Sequence, residues 1–429
     1  MSLKSTLQPF VAAAITTPLR RDALRRVRER WRRVRGKPHR LTAFIRLDDP
    51  YALLLLHALQ TVRERFDVQL ELRVVGATPS SMDPAPEALR AWARLDAARV
   101  AALYDLQVPD FDARRASESE SASLASLESA PDPLLALRSA LEGWWRGAPI
   151  PGSANAKRLA ENNRERSSRG HYLSAMVHYE GEWYWGIDRL NHLTQRLDTL
   201  GLRTVEARPA FERRFAFLTE PAPETGPSAE LELFWSGRSP YAYLALERAY
   251  QLADHHSVPL RIRPVLPMVM RDLTVPLPKR RYILGDAKRE ADWLGIPLGF
   301  ICDPVGLGIE RGYALLDVAR QHDRLREYVL AFSTAVWSEG IDAATEAGLE
   351  QIATNAGLPW APCRAAMRGD HWRAEVEANR STLLDAGQWG VPVLRCGESV
   401  VWGQDRFWVL DRALQELAAS PTPPAPEHA

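Results

Sequence analysis

The stretch FWSGRSPYAYLALERAY, Phe234–Tyr250, reads as the end of a strand, a sharp turn and the start of a helix. Ser239 suits the cap position. Pro240 suits the first helical position, where a missing N–H costs nothing. The same frame occurs earlier, as FIRLDDPYALLLLHALQ (Phe44–Gln60), with Asp49 in place of the serine. Three further echoes follow in the same order. LQVPDF near Pro109 resembles LGIPLGF near Pro297. ALEGWWRG near Trp144 resembles FSTAVWSEG near Trp337. WGIDRLNHL from Trp185 parallels WGQDRFWVL from Trp402. Such ordered self-similarity is read as two copies of one domain.

Each copy has one grammar. An apolar strand (Leu41–Ile45; Leu231–Trp235) enters a helix, and a second strand follows (VQLELRVVG; VPLRIRPVL). A long polar, helix-rich stretch comes next. A hairpin then closes the core, SAMVHY-EG-EWYWG or VPVLRC-GE-SVVWG, before a last helix from about Asp188 or Asp405. This is β-α-β, a helical insertion, then β-β-α: an α/β class with a mixed sheet. The expected division is a basic amphipathic segment over 1–39, a degenerate first copy over 40–200, a linker over 201–228, the second copy over 229–418 and a disordered tail over 419–429. The connector TEPAPETGPSAE (Thr219–Glu230) and the tail SPTPPAPEHA carry the Pro-rich chemistry of such segments. The tract DARRASESESASLASLESAPDP in copy one reads as a mobile loop. Trp185 and Trp402 read as core aromatics.

The chain has 429 residues, an apolar share of 46% and a net charge of +1. That suggests a globular protein of two domains or more and gives no global pull toward nucleic acid. No apolar run is long enough to span a bilayer. FVAAAITTPL (Phe10–Leu19) imitates a secretory core, but no cleavage site follows it. Cys302, Cys363 and Cys396 form no CxxC pair and no zinc-type cluster, so neither a disulfide framework nor a metal is expected, and the home expected is the cytoplasm.

Charge is concentrated at one place. From Arg20 to Arg40 there are eleven Lys or Arg against Asp22 and Glu29. Leu24, Val27, Trp31 and Val34 recur there at helical spacing. Two readings stand: a helix that packs its apolar stripe on the first domain with arginines in water, or a peripheral contact with anionic membrane. No nucleic acid partner is expected, because no binding motif accompanies the charge.

A helix start presents unsatisfied N–H groups and a positive dipole end, which stabilise an anion such as a thiolate. A serine hydroxyl adds one donor. Nothing near Ser239 resembles a hydrolase triad or GxSxG. The role open to it is to hold a small-molecule thiolate; the plainer reading is an N-cap alone.

FWSGRSPYAYLA, VPLPKRRYILGDAKREADWLGIPLG and GVPVLRCGESVVWGQDR together resemble the 2-hydroxychromene-2-carboxylate isomerase family. That family is similar to kappa-class glutathione transferases, within the DsbA-like thioredoxin superfamily. The resemblance covers copy two and, more faintly, copy one. It implies two thioredoxin-like, DsbA-like domains in tandem, each interrupted by a helical insertion. It also implies glutathione as a reversible nucleophilic cofactor acting on a small aromatic or hydrophobic carboxylate, without a metal. Ser239 then corresponds to the serine that activates the thiol. Pro240 and Tyr241 complete the turn, Val391 holds the cysteinyl backbone beside Pro392 as the cis-proline, and Gln404 and Asp405 take the γ-glutamyl end. Arg238 and Lys279 are candidates for the substrate carboxylate.

The turn Ser239-Pro240-Tyr241-Ala242 lacks both sulfurs of C-P-x-C, so disulfide exchange by that motif is chemically closed. The family's asparagine in the insertion is absent; Met270 or Arg271 lies nearest. In copy one Asp49 would repel a thiolate, and Ala175 stands in place of Pro392. Copy one reads as a non-catalytic stand-in for a second subunit. The readings are a glutathione-dependent isomerase or transferase working through copy two, a pseudoenzyme that binds or scaffolds without thiol chemistry, and an enzyme using another thiol in the same pocket.

Overall fold

A computed structural model describes residues 3–206, 210–222 and 228–419. The tail 420–429 and part of the connector at 223–227 lie outside the described residues. The chain divides into two compact units. One contains 18–213 and 274–286; the other contains 1–17, 214–273 and 287–429. Each holds one four-stranded mixed sheet.

The first sheet consists of β1 (Arg40–Ile45), β2 (Gln69–Val74), β3 (Met176–Tyr179) and β4 (Glu182–Trp185), in the order β2-β1-β3-β4. The second consists of β5 (Leu231–Trp235), β6 (Leu260–Pro264), β7 (Val393–Cys396) and β8 (Ser399–Trp402), in the order β6-β5-β7-β8. In both, the first pair is parallel and the other two are antiparallel. The registers agree residue for residue. Phe44 faces Met176 as Phe234 faces Val393, and Met176 faces Trp185 as Val393 faces Trp402. The central strand β5 is buried at every position, Glu232 included.

The sequence explains the hairpins locally. In the first, Glu180 and Gly181 both take positive φ, 44° and 77°. In the second, Gly397 has φ 54° and opens the turn. These are the conformations that make two-residue turns match strand twist.

Among the helices, α1 (Leu3–Thr16) and α2 (Pro18–Val34) precede the first sheet. They fall in different units, so residues 1–39 are not one element. α3 (Pro50–Arg65) follows β1, and α4 (Leu190–Thr199) follows β4. α5 (Pro240–His256) and α6 (Phe407–Ala419) take the same places around the second sheet. Helical insertions separate β2 from β3 and β6 from β7. The helix Leu277–Leu294 begins the second insertion, and residues 277–286 of it belong to the unit of the first sheet.

The Ser/Glu/Ala tract at 112–133 is not a loop. It forms the helix Glu118–Ser126, closed by a capping box between Ser117 and Glu120. Its small side chains Ser121, Ala122 and Ala125 are buried with Leu124. The S-x-x-E signature that starts a helix outweighs the polar composition. Trp185 and Trp402 are half-buried rather than core. Among the described residues, no helix is long and apolar enough to cross a membrane.

Candidate functional site

The second unit builds the candidate site at the start of α5. Ser239 is its N-cap, and its Oγ accepts the Ala242 N–H at 3.2 Å. The same Oγ donates to the Val391 carbonyl at 3.2 Å. Val391-Pro392 is a cis peptide. Ser239, Pro240, Val391 and Pro392 are thus brought together, although 152 residues separate Ser239 from Val391. The hydroxyl has one proton. It rests on the Val391 carbonyl, and an anion at the helix start would compete for it.

The turn before Ser239 is held from the insertion. The indole N–H of Trp337, in a π-helical turn at Ala335–Glu339, donates to the Gly237 carbonyl at 3.0 Å. The Gly237 N–H donates to the Tyr313 hydroxyl at 3.3 Å, and that hydroxyl donates to the Val265 carbonyl at 2.9 Å. Gly237 tolerates no side chain: a Cβ there would stand 2.5 Å from the Phe332 ring. π-helical turns recur at functional sites, and this one ties the insertion to the serine turn.

Around the cis-proline, Trp389 lies against Trp402, with ring centroids 4.6 Å apart. A Cβ on Gly390 would touch the Trp402 ring at 3.3 Å. The half-buried tryptophan therefore belongs to this loop's packing, which its sequence neighbours alone do not reveal.

Residues 230–415 match the DSBA-like thioredoxin domain family. The 2-hydroxychromene-2-carboxylate isomerase of Pseudomonas putida is 24% identical over 198 residues, 44% of this chain and 95% of that protein. The protein of the same name from Sphingobium xenophagum is 23% identical over 195 residues, 43% of this chain and 97% of its own length. A solved structure of a 2-hydroxychromene-2-carboxylate isomerase is 22% identical, covers 44% of this chain and 95% of that one, and has a TM-score of 0.38. A probable DsbA oxidoreductase from Streptomyces coelicolor is 18% identical, covers 47% and 94%, and has a TM-score of 0.37. The matched region contains Ser239 and all four strands of the second sheet.

Charge in this region is arranged unevenly. Arg238 makes a two-point ion pair with Asp303, at 2.7 and 2.8 Å. Its charge is therefore answered within the protein. Arg271 is different. It donates to the Trp389 carbonyl at 3.0 Å, two residues before Val391, and its Nε is buried without a partner. Burial lowers the pKa of this guanidinium, and the Arg380 charge adds to that effect. Among the described residues no carboxylate pairs with it. A desolvated cation without a counter-ion favours an anionic ligand.

Gln404 and Asp405, expected to meet a ligand, have partners inside the protein. Gln404 donates to Glu290 at 2.5 Å and to Asp405 at 2.6 Å, while Arg248 donates to its Oε1 at 2.7 Å. Asp405 also pairs with Arg214, which binds Glu290 at 2.7 and 2.9 Å. Arg214 is 1% exposed and Glu290 0%. This is a closed buried network at the start of α6, and it holds both residues that the sequence assigned to the γ-glutamyl end. Lys279 lies in the other unit, where burial lowers its pKa.

The unit's sulfurs do not supply a thiolate. Cys302, Cys363 and Cys396 are all free and buried. Burial raises each thiol, Cys302 to about 11. At the far end of α5, His255, His256 and Asp411 offer ligand atoms within 4.8 Å of one another. The pair at its centre is a hydrogen bond of 2.8 Å between His256 and Asp411, which also accepts the Leu218 N–H. That partnership accounts for the placement of His256 and Asp411 without an ion.

Proposed function

We propose that the second unit is a glutathione-dependent isomerase or transferase of the 2-hydroxychromene-2-carboxylate isomerase type, with Ser239 holding the thiolate. The observation that carries this reading is Ser239 Oγ, at a helix start, set against the carbonyl that precedes a cis-proline. The isomerase names of the relatives agree with it. The raised pKa values of the protein's own cysteines add a reason for a borrowed thiol. In this proposal Pro240 and Tyr241 shape the turn, and Val391 and Pro392 pair with the glutathione backbone as with an added strand. Arg271 takes over anion binding from the absent asparagine and faces a carboxylate of glutathione or of a small aromatic or hydrophobic substrate, while Arg238 stays paired with Asp303. Gln404 and Asp405 act through the network that fixes the start of α6. We read the first unit as a second copy of this domain, without a thiol site.

Glutathione-dependent thermal stabilisation tests the proposal, because a ligand that binds only the native state raises its melting temperature with occupancy. Wild type should be stabilised. Arg271→Gln should weaken the effect, and Ser239→Ala should leave binding largely intact while raising the apparent pKa of the bound thiol. If wild type shows neither stabilisation by glutathione nor any thiol-dependent turnover, the serine turn is a helix cap only. The binding-or-scaffold reading then takes its place.

A further inference from the structure

The helix α2 is attached to its unit by its charged side. Arg25 makes two hydrogen bonds of 2.7 Å with Glu182 in the β3–β4 hairpin. Arg28 donates to the Glu180 carbonyl at 2.8 Å, across the hairpin glycine. A Cβ on Gly181 would strike the Arg28 guanidinium at 2.4 Å. Arg21, Arg25, Arg28, Glu29 and Arg32, on this side, are partly buried. A neighbouring side carries the apolar stripe, and it faces water: Leu24 is 39% exposed, Val27 53%, Trp31 58% and Val34 74%. No residue of α2 is buried. Ordinary surface helices do the reverse, turning the apolar stripe inward.

The exposed side also has one sign of charge. Arg30, at helical spacing from both Val27 and Val34, borders the stripe, and the Arg35 guanidinium lies over the Trp31 ring at 5.2 Å. The helix's two acids, Asp22 and Glu29, sit on the partly buried side, where Glu29 holds Arg32 and Arg33. Leaving four large apolar side chains in water is unfavourable, and patches of this kind mark docking surfaces. A second copy of the chain would bring arginines against arginines. Nucleic acid would answer the charge and leave Leu24, Val27 and Val34 exposed. A surface that is both anionic and apolar beneath answers both features.

We propose that α2 docks this protein on an anionic lipid bilayer, with Leu24, Val27, Trp31 and Val34 in the interface and the bordering arginines on lipid headgroups. Flotation of the full chain with vesicles of phosphatidylcholine and phosphatidylglycerol, against phosphatidylcholine alone, tests it. Wild type should float with the mixed vesicles only, and added salt should release it. Val27→Glu with Trp31→Glu should lower binding at least tenfold with an unchanged melting temperature, since neither side chain is buried. Arg30→Gln with Arg35→Gln should lower it roughly thirtyfold. The proposal is overturned if wild type does not float with anionic vesicles, or if the double glutamate variant still does. It is equally overturned if this face binds duplex DNA and not vesicles, or if it forms a dimer that the glutamates dissolve.

Discussion

The two proline turns share a backbone plan and differ in charge. In the second unit the cap is Ser239, whose hydroxyl donates to the carbonyl preceding cis-Pro392. In the first the cap is Asp49, which accepts the Tyr51 N–H at 3.0 Å and a hydrogen bond from Ser174. Ala175 stands where Pro392 stands, and it takes a positive φ of 52°. The next link is nonetheless kept: Gly186 donates to the Ala175 carbonyl at 2.6 Å as Gly403 donates to that of Pro392 at 2.9 Å. The lesson is that this turn holds its shape without its chemistry. Both carboxyl oxygens of Asp49 are taken as acceptors by Tyr51 and Ser174, while the Ser239 hydroxyl keeps a proton that it can donate.

The deepest shared feature is a buried ion pair beside the WGxDR segment. In the first unit Arg189 binds Asp286, at 2.9 and 3.0 Å. In the second Arg214 joins Glu290 and Asp405. Replacing one partner strands a buried charge, at a cost of about 3–5 kcal/mol. Arg189→Met and Arg214→Met should each lower stability by that much in urea unfolding. A cost below about 1 kcal/mol in either would show that the networks do not play the same part.

At the turns themselves the two units should diverge. Ser239→Ala should slow glutathione-dependent turnover ten- to a hundredfold, the loss of one charge-assisted hydrogen bond of about 1.5–3 kcal/mol. Asp49→Ala should leave turnover unchanged. The opposite result would place the chemistry in the first unit.

Away from the turns they should converge again. Asn162 donates to the Val74 carbonyl at 2.8 Å, and Asn379 donates to the Pro264 carbonyl at 3.1 Å. Both carbonyls end the second strand of their sheet. Asn162→Ala and Asn379→Ala should each cost about 1–3 kcal/mol, by leaving a buried acceptor unsatisfied. Strongly unequal losses in thermal melts would break the equivalence.

The smallest effect concerns pH. Burial raises the Asp49 carboxyl above its usual range, with the Arg46 charge opposing. The native state then holds this proton to higher pH than the unfolded chain. The stability it contributes is full below about pH 4 and is lost as pH rises through the folded value. Asp49→Asn should flatten this dependence and raise the melting temperature at neutral pH. An unchanged pH profile would mean that Asp49 is ionised in the folded protein.

Some of this was legible in the chain. Both hairpins, the cap at Ser239 and the strands Leu41–Ile45 and Leu231–Trp235 rest on signals within a few residues, while the cis-proline at Pro392 was implied by the family resemblance. Asn162 and Asn379 carry a positional signal too: each stands 13 residues before Ala175 and Pro392, respectively. What only tertiary structure decided are the partnerships across long separations. Trp337 reaches Gly237 over 100 residues, Arg271 reaches Trp389 over 118, and Arg214 reaches Asp405 over 191. Periodicity told that α2 is amphipathic, yet not which side faces the protein, because a hydrophobic stripe records a preference and the hairpin's Glu182 and Glu180 carbonyl determine what the arginines find. A side chain's type is local. Whether its charge is answered, as for Arg238 and Asp405, or left waiting, as for Arg271, depends on which distant residues the fold brings within hydrogen-bonding reach.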